Sequence, residues 1–152
     1  MNKLAIVAQV ILGLAGASFA SSQASAQSTT EGASISVPAG DIKFAPTGVK
    51  NKGLELKAGG AYGNMATGKH GSFVFMPAGY ASVPHTHTDY YYAVVVKGVM
   101  ANHGPDAKDV PLPVGSYWYQ KGGENHVTKC LSKDDCLFFI TQPGPFDFAA
   151  TK

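Results

Sequence analysis

The sequence predicts an all-β domain, and three features of its 152 residues support this prediction. No window keeps a 3.6-residue apolar period for three turns, so we expect no long amphipathic helix. The 18 glycines and 9 prolines recur every few residues in turn-forming combinations such as Gly-Gly and Pro-Gly-Pro. Short apolar runs of strand length separate these turns. Many short strands at this spacing indicate a sandwich or a barrel.

The first segment, residues 1–26, is interpreted as a signal peptide. Lys3 precedes an apolar run that extends from Leu4 to Ala20, a pattern typical of an export signal. Small-x-small sites end at Ala20 and Ala26, and either is a candidate cleavage point. The alternative is an uncleaved anchor helix, although about 17 residues is at the short limit of a membrane span. We therefore expect an exported protein, periplasmic or secreted, that leaves the membrane after cleavage.

Residues 27–40 are interpreted as a polar leader and residues 41–152 as a single folded domain, with no internal repeat. The clearest strand candidates are residues 72–76, 91–97, 116–120, 126–130 and 137–141. Weaker candidates are residues 34–37, 41–44 and 54–57.

Cys130 and Cys136 are the two cysteines of the chain. They flank a polar turn between two strand candidates, and in an oxidising compartment such a pair closes a hairpin with a disulfide. A loop this short contributes only about 2 kcal/mol of stability on the chain-entropy model. The alternative is a pair of free thiols, one of which faces a site.

The types of charged residue in the chain indicate which classes of partner it binds. The chain carries 12 basic and 10 acidic residues, and every basic residue is a lysine. Nucleic-acid binding and bidentate recognition of anions usually depend on arginine. We therefore expect no nucleic-acid partner.

Three histidines in two separate segments form a candidate metal site. His85 and His87 are two residues apart, so on a strand both imidazoles point to the same face and can reach one metal ion. His126, from a distant strand, can complete a facial set that leaves open coordination positions. Open positions distinguish catalytic metal sites from closed structural ones.

The spacing around the first two histidines resembles the first motif of the cupin superfamily. That motif has a glycine, five residues, His-x-His, three residues, an acid, six residues and a glycine. It fits from Gly79 through His85 and His87 to Gly98, with Tyr91 in place of the acid.

The third histidine lies in a segment that resembles the second cupin motif. Gly115, Gly123 and His126 match, whereas Lys121 replaces a proline and Cys130 replaces an asparagine. The runs PHTHTDYY, PVGSYWYQKGGENHVTKC and FFITQPGPFDF are similar to those of a group of small exported bacterial cupins. The resemblance implies a jelly-roll barrel, or double-stranded β-helix, with a metal at its mouth.

The resemblance assigns the metal-ligand positions to His85, His87 and His126. It implies a divalent transition metal, with iron, copper, manganese, zinc and nickel all open. The alternative is a cupin that has lost its metal and keeps the histidines for polar packing. Without the acidic ligand, three neutral imidazoles leave the full charge of the metal for bound water or an anionic ligand, which favours enolate-like or phenolate-like substrates.

Tyr91 is the candidate catalytic residue. It shares strand parity with the two neighbouring histidines, so we expect it to point inward. A phenol ionises only near pH 10, which makes it a better hydrogen-bond donor to substrate or water than a metal ligand. A direct ligand and an aromatic wall remain the alternatives. Asp89 is expected in a polar turn, with a carboxylate ligand as its alternative, and Glu124 is a weaker candidate acid or base.

The other two histidines, His70 and His103, are expected in loops away from the site. Six aromatic residues are candidates to line an apolar cavity, although the sequence does not decide which face each one occupies. They are Phe73, Phe75, Tyr117, Trp118, Tyr119 and Phe139.

Two functions from different classes are consistent with these residues. The first is a metal-dependent dioxygenase that acts on a small organic molecule through the three-histidine centre. The second is a non-catalytic periplasmic cupin that binds a metal or a small ligand. Sugar-phosphate isomerases are disfavoured because they need cationic clamps that a chain without arginine lacks. The resemblance also implies a homodimer.

Overall fold

The structure is a computed structural model that describes residues 33–152. The predicted signal peptide, both candidate cleavage points and residues 27–32 of the leader lie outside the described residues. Residues 36–152 form one compact unit. Among residues 33–152, no helix has the length and apolar character needed to cross a membrane.

The unit is built almost entirely from short strands, with one 3-10 turn at Ala39–Asp41. The strands are β1 (Ala45–Asn51), β2 (Leu54–Gly63), β3 (His70–Met76), β4 (His85–Thr86), β5 (Tyr91–Lys97), β6 (Met100–His103), β7 (Tyr117–Gln120), β8 (Val127–Cys130), β9 (Cys136–Gln142) and β10 (Ala149–Ala150).

The strands form two layers with antiparallel pairing. Six strands make the large sheet, in the order β1-β2-β3-β9-β5-β7. The pairs β4–β10 and β6–β8 make the other layer, and isolated bridges from His85 to His126 and from Ala81 to Lys129 connect these pairs. This arrangement is the antiparallel jelly roll expected from the motifs.

Alternation along the strands determines which side chains form the core. In β5, Tyr91, Ala93 and Val95 are buried, whereas Tyr92 and Val94 between them are exposed. Period-two alternation is the pattern of a sheet with one face packed and one face open. The inward side chains of β3, β5, β7 and β9 meet those of the smaller layer in one hydrophobic core.

All five clear strand candidates are strands in the structure, whereas two of the three weaker ones are wrong. Residues 34–37 form no strand and are exposed, and residues 41–44 begin in the 3-10 turn and end before β1 starts at Ala45. The backbone of these segments has no neighbouring strand to pair with, so β propensity alone does not make them strands. The prediction also missed β1, in which Pro46 and Gly48 conceal a strand with an irregular register.

The predicted disulfide between Cys130 and Cys136 is present and joins the end of β8 to the start of β9. Gly98, the last glycine of the first motif, lies against it. Its φ is +84°, and a Cβ atom there would lie 2.8 Å from the Cys136 sulfur and 2.9 Å from the Ser132 hydroxyl. A glycine is therefore required at this turn both for backbone conformation and for space beside the disulfide.

Candidate metal centre

The backbone brings the two histidine-containing segments together. The amide of His85 donates to the carbonyl of His126 at 3.0 Å, and the amide of His126 donates back to the carbonyl of His85 at 3.0 Å. The amide of Gly123 donates to the carbonyl of His87 at 2.8 Å. Gly123 has a φ of +73°, which glycine adopts without strain. These bonds position both motifs at one end of the barrel.

The three predicted histidines form one buried cluster. His85, His87 and His126 are only 3%, 4% and 1% exposed. Each offers one nitrogen, and the three nitrogens lie within 4.8 Å of one another. Asp89 and Glu124 are not members of this group.

Backbone carbonyls orient all three imidazole rings. The Nδ1 of His85 faces the carbonyl of Val83 at 2.9 Å, and the Nδ1 of His126 faces the carbonyl of Glu124 at 3.0 Å. The Nδ1 of His87 pairs with the carbonyl of Asp147. A carbonyl only accepts, so each Nδ1 carries the proton and each Nε2 keeps a free lone pair. Metal-binding histidines in proteins are commonly oriented in this way.

Burial keeps these rings neutral. Removal from water, together with the smaller effect of the neighbouring His126, lowers the pKa of His85 to about 3. Burial likewise lowers the pKa of His126 to about 4 and lowers the pKa of His87. Neutral imidazole is the form that binds a metal ion, so the ring nitrogens need no deprotonation at neutral pH.

Tyr91 points inward, as its strand parity predicts, and is 5% exposed. Its hydroxyl lies 3.5 Å from the Nε2 of His126 and accepts a hydrogen bond from the indole of Trp118 at 3.3 Å. Burial raises the pKa of Tyr91 to about 12. The group is therefore a neutral phenol beside the histidines, able to donate its proton but poorly suited to bind a metal as an anion.

The C-terminal segment covers the histidine cluster, and sequence reasoning missed this. The ring of Phe148 stacks on His85 at 4.2 Å between centroids, and the ring of Phe146 lies 5.2 Å from that of His87. The segment is attached by pairing of β10 with β4 and by a hydrogen bond from the Phe146 amide to the carbonyl of Met65. We refer to residues 146–150 as the C-terminal strap.

Asp147 attaches the strap to the residue that follows His87. Its carboxylate accepts hydrogen bonds from the Thr88 amide at 2.9 Å and from the Thr88 hydroxyl at 2.6 Å. Burial opposes ionisation of Asp147, but the bonds from Thr88 outweigh it and lower the pKa of this carboxyl. Since the carbonyl of the same residue orients His87, Asp147 holds one histidine through both its main chain and its side chain.

A second group of residues that the sequence did not indicate supports His126. The Thr128 hydroxyl donates to the Asn102 side chain at 2.7 Å, and the Asn102 amide donates to Gln120 at 2.9 Å. Gln120 in turn donates to the carbonyl of Glu124 at 3.3 Å, the same carbonyl that orients His126. Uncharged polar side chains on three different strands carry no spacing signal, which is why the sequence did not reveal them.

A cavity opens beside the histidines inside the barrel. It provides about 40 Å³ for the centres of water molecules, which is room for a few of them. Its walls are mainly apolar side chains, among them Leu56, Val74, Met76, Phe138, Ile140, Phe146 and Phe148. An open groove on the other side of the strap shares Thr47, Phe146 and Phe148 with this cavity. The two phenylalanines therefore lie between the cavity and this groove.

The six aromatic residues proposed to line the cavity all lie elsewhere. Trp118 alone among them is buried, and none of the six lines the cavity. Strand register puts the other five on the outer face of the large sheet, while Tyr80, Tyr91 and Phe138 line the cavity. A register shift of one residue reverses the faces, so composition alone did not predict this.

The remaining candidate residues lie outside the group of three histidines. The expectation of a loop position for His70 is wrong, since it lies in β3, is fully buried and pairs with the Ser72 hydroxyl at 3.0 Å. His103 ends β6 and binds the carboxylate of Asp109 at 2.6 Å. Asp89 lies in the loop between β4 and β5, as expected of a polar turn. Glu124 is exposed and contributes its carbonyl to the site.

Comparison with known families finds one match that covers most of the chain. Residues 47–152 match the model of a family described as "Domain of unknown function (DUF4437)". No curated protein matches the sequence.

Solved structures with low sequence identity share the fold. The polyketide cyclase RemF from Streptomyces resistomycificus is 18% identical, with a TM-score of 0.64 over 79% of this chain and 87% of that one. An acetylacetone dioxygenase from Acinetobacter johnsonii is 19% identical, with a TM-score of 0.58 over 78% of each chain. An RmlC-like cupin from Shewanella frigidimarina is 15% identical, with a TM-score of 0.56 over 74% and 92% of the two chains. These similarities confirm the predicted cupin jelly roll.

Proposed function

We propose that this chain, which belongs to the DUF4437 family and to the cupin superfamily, holds a divalent transition metal ion with His85, His87 and His126. One observation carries the proposal: three buried rings, each oriented through Nδ1 by a carbonyl, place one nitrogen each within 4.8 Å of the others. Neutral imidazole nitrogens this close together form a donor set that divalent transition metals bind.

The donor set fits several metals. Imidazole suits zinc, copper, iron and nickel. Manganese prefers oxygen ligands, which water or a ligand would supply at the open positions. All three donors are neutral, and the fourth cupin position holds a phenol whose pKa is raised to about 12. A dication there would retain its full charge and would attract an anionic oxygen donor from a ligand.

The proposed activity is that of an oxygenase, specifically a dioxygenase, that acts on a small enolate-like or phenolate-like molecule. A bound metal would supply Lewis acidity and access to redox chemistry. The apolar cavity walls would exclude bulk water and accept the carbon skeleton of the substrate, and the Tyr91 hydroxyl would donate a hydrogen bond to a substrate oxygen or to water. Similar folds in an acetylacetone dioxygenase and a polyketide cyclase support chemistry on a small oxygenated molecule.

A second candidate function is non-catalytic binding of a metal or a small ligand. Substitution of the acidic cupin ligand by Tyr91 favours it, because the phenol cannot replace a carboxylate as an anionic ligand. The strap favours it as well, since Phe146 and Phe148 separate the cavity from the surface groove. In this function the histidines retain the metal, and no turnover occurs.

We also propose that the protein is exported, to the periplasm or out of the cell, after removal of residues 1–26 or of a shorter signal that ends at Ala20. The disulfide between Cys130 and Cys136 supports an oxidising compartment. Residues 27–40 would then form the leader and residues 41–152 the cupin domain. Mass measurement of the protein recovered from the periplasm and medium would identify the cleavage point.

Metal analysis and oxygen uptake together test the proposed function. The purified protein is reconstituted with iron, copper, manganese, zinc or nickel, and oxygen uptake is followed with diketones, flavonols and catechols. We expect about one metal ion per chain, its loss in His85→Ala, and its retention in His103→Ala, a histidine outside the cluster. Unchanged metal binding in His85→Ala would overturn the site, whereas bound metal without turnover would favour the binding function.

A further inference from the structure

The segment that precedes β4 forms a polar wall along one side of the cavity. The amide of Ser82 donates to the carbonyl of Thr128 at 2.9 Å, and the amide of Cys130 donates to the carbonyl of Tyr80 at 2.9 Å. Since alternate residues of an extended chain share a face, Tyr80 and Ser82 point the same way, and both line the cavity together with Thr128. We refer to Tyr80, Ser82 and Thr128 as the polar wall.

The large sheet supplies an apolar wall to the same cavity. The side chains on this side carry no hydroxyl, amide or charged group, with the exception of Thr47 on β1. The hydroxyl of Thr47 already donates to the carbonyl of Leu56 at 3.0 Å and accepts from the amide of Val49 at 3.2 Å. A ligand in the cavity therefore meets hydrocarbon on one side and hydroxyl groups on the other. The apolar wall consists of Leu56, Ala58, Val74, Met76, Phe138 and Ile140.

The Tyr80 hydroxyl is the group on the polar wall that lacks a protein partner. Tyr80 is 1% exposed, and its hydroxyl forms no hydrogen bond with any of residues 33–152. Within that range, the side-chain atoms that are both unpaired and sealed from water-sized space are the Nε2 of His70 and the Oε1 of Gln142. The Tyr80 oxygen is not one of them, so it faces open space, and the cavity is the space that Tyr80 lines.

The cavity hydroxyls are available as hydrogen-bond donors. Burial raises the pKa of Tyr80, so this phenol keeps its proton at neutral pH. The Ser82 hydroxyl accepts from the Thr128 amide at 2.9 Å, and no acceptor within residues 33–152 takes its proton. A ligand that displaces water from such groups loses affinity unless it replaces the hydrogen bonds of that water. An oxygen atom that accepts hydrogen bonds is therefore the complementary group on the ligand.

The position of Tyr80 and the size of the cavity define the shape of the ligand. Tyr80 pairs with Cys130, four residues along β8 from His126, whereas Ser82 pairs with Thr128, only two residues from it. Tyr80 is thus the end of the polar wall that lies farthest from the histidines, so one ligand atom does not serve both ends. The cavity has room for about three water molecules, which suits one small ring rather than two.

We propose that Tyr80 is a specificity-determining residue whose hydroxyl donates a hydrogen bond to the far end of a ligand that the histidine centre holds by an anionic oxygen. The ligand class is a single-ring molecule, or one of similar size, that carries oxygen atoms at both ends of a hydrocarbon body. The body packs on the apolar wall, and the second oxygen meets Tyr80. This inference rests on the metal site proposed above and adds the feature that selects among its ligands.

Two phenols of nearly the same shape test this class on the zinc-loaded protein, in which the metal undergoes no redox reaction. Hydroquinone carries a second hydroxyl at the far end of its ring, and p-cresol carries a methyl group there. In titration calorimetry without oxygen, we expect hydroquinone to bind about 10-fold more tightly than p-cresol. Tyr80→Phe should reduce this preference to the small factor that the two equivalent ends of hydroquinone provide, and should leave the affinity for p-cresol as it was.

Tyr62→Phe is the matched control for the loss of a tyrosine hydroxyl. Tyr62 is 47% exposed, and its hydroxyl bonds to that of Thr141 outside the cavity. This variant should keep both affinities and the preference for hydroquinone. A preference that is the same in the original chain and in Tyr80→Phe, with zinc and both phenols bound, would overturn this inference alone. A chain that binds no zinc overturns the proposed metal site and this ligand class with it.

Thermal unfolding of the metal-free chain provides a measurement that does not depend on the metal. Because the Tyr80 hydroxyl has no partner within residues 33–152, Tyr80→Phe breaks no hydrogen bond there and should leave the midpoint of unfolding unchanged or raise it. A clearly lower midpoint would show that the hydroxyl bonds to the protein rather than waiting for a ligand, and this result would also overturn the inference.

Discussion

Tyr91 and Tyr92 are consecutive residues of one strand, yet they occupy opposite environments. Tyr91 is 5% exposed, contacts Trp118 and lies beside His126, and burial raises its pKa to about 12. Tyr92 is 48% exposed on the outer face among other tyrosines. The same contrast holds for Trp118 and Tyr119 on β7. Strand parity, rather than residue type, therefore separates the candidate metal centre from the exposed outer face of the sheet.

The largest expected difference between the two faces is in metal affinity. His126→Ala removes one of three ligands, and we expect metal affinity to fall by at least about 1,000-fold, more than the 10- to 100-fold typical for residues that only orient a ligand. Tyr119→Ala on the outer face should leave it unchanged. Competition titration with a chelating dye measures both variants. Equal affinities in the two variants would contradict the division of the strands into a face that holds the metal site and an outer face that does not.

The next expected difference is in how the stability of the metal-free protein depends on pH. Since burial lowers the pKa of His85 to about 3, the unfolded chain binds a proton near pH 6.5 that the folded chain does not. This group's contribution is complete above about pH 6.5 and is lost as the pH falls toward 3. Between pH 7 and 5 we expect His85 alone to remove about 2 kcal/mol from the free energy of unfolding.

Denaturant unfolding of the metal-free chain at several pH values measures this loss. His85→Gln removes one of the buried rings whose pKa is lowered and should reduce the slope, although His87 and His126 still contribute to it. Tyr92→Phe on the outer face should leave the slope as it was. A profile that keeps its full slope in His85→Gln would show that the buried ring does not control the acid sensitivity.

The strap should contribute to stability more than the outer face does. Phe148 is half-buried and stacks on His85, so Phe148→Ala opens space in the mouth of the barrel and should cost about 2 kcal/mol. Tyr117→Ala, which truncates an exposed ring, should change the free energy of unfolding by less than about 0.5 kcal/mol. Thermal unfolding at low concentration compares them. A larger loss of stability in Tyr117→Ala than in Phe148→Ala would show that the outer face contributes more to stability than the strap does.

The smallest and sharpest comparison replaces each of the two neighbouring tyrosines by phenylalanine. Tyr91→Phe leaves the buried Trp118 indole without its acceptor and should cost about 1–2 kcal/mol. Tyr92→Phe should cost almost nothing. If Tyr91 also assists turnover, its variant lowers kcat with little change in KM, which oxygen-uptake kinetics would detect. Equal effects in the two variants would remove any special role for Tyr91.

The spacing of residues was enough to predict the histidine cluster and the disulfide. Each depends on a covalent or coordination geometry that tolerates few separations along a strand, so it leaves a readable pattern. The C-terminal strap left no such pattern. Asp147 acts on His87 through a carbonyl, which every residue has, and its side chain meets Thr88 only because β10 pairs with β4.

The sequence by itself determined the all-β class, the turn positions, the three histidines and the cysteine pair, because local periodicity and fixed spacing encode them. Only the tertiary structure decided which aromatic residues line the cavity and that His70 is buried in β3. It also decided that Phe146 and Phe148 pack against the histidine cluster. Those outcomes depend on pairing between strands far apart in the chain. A one-residue change of register would reverse the faces with almost no change in local preference.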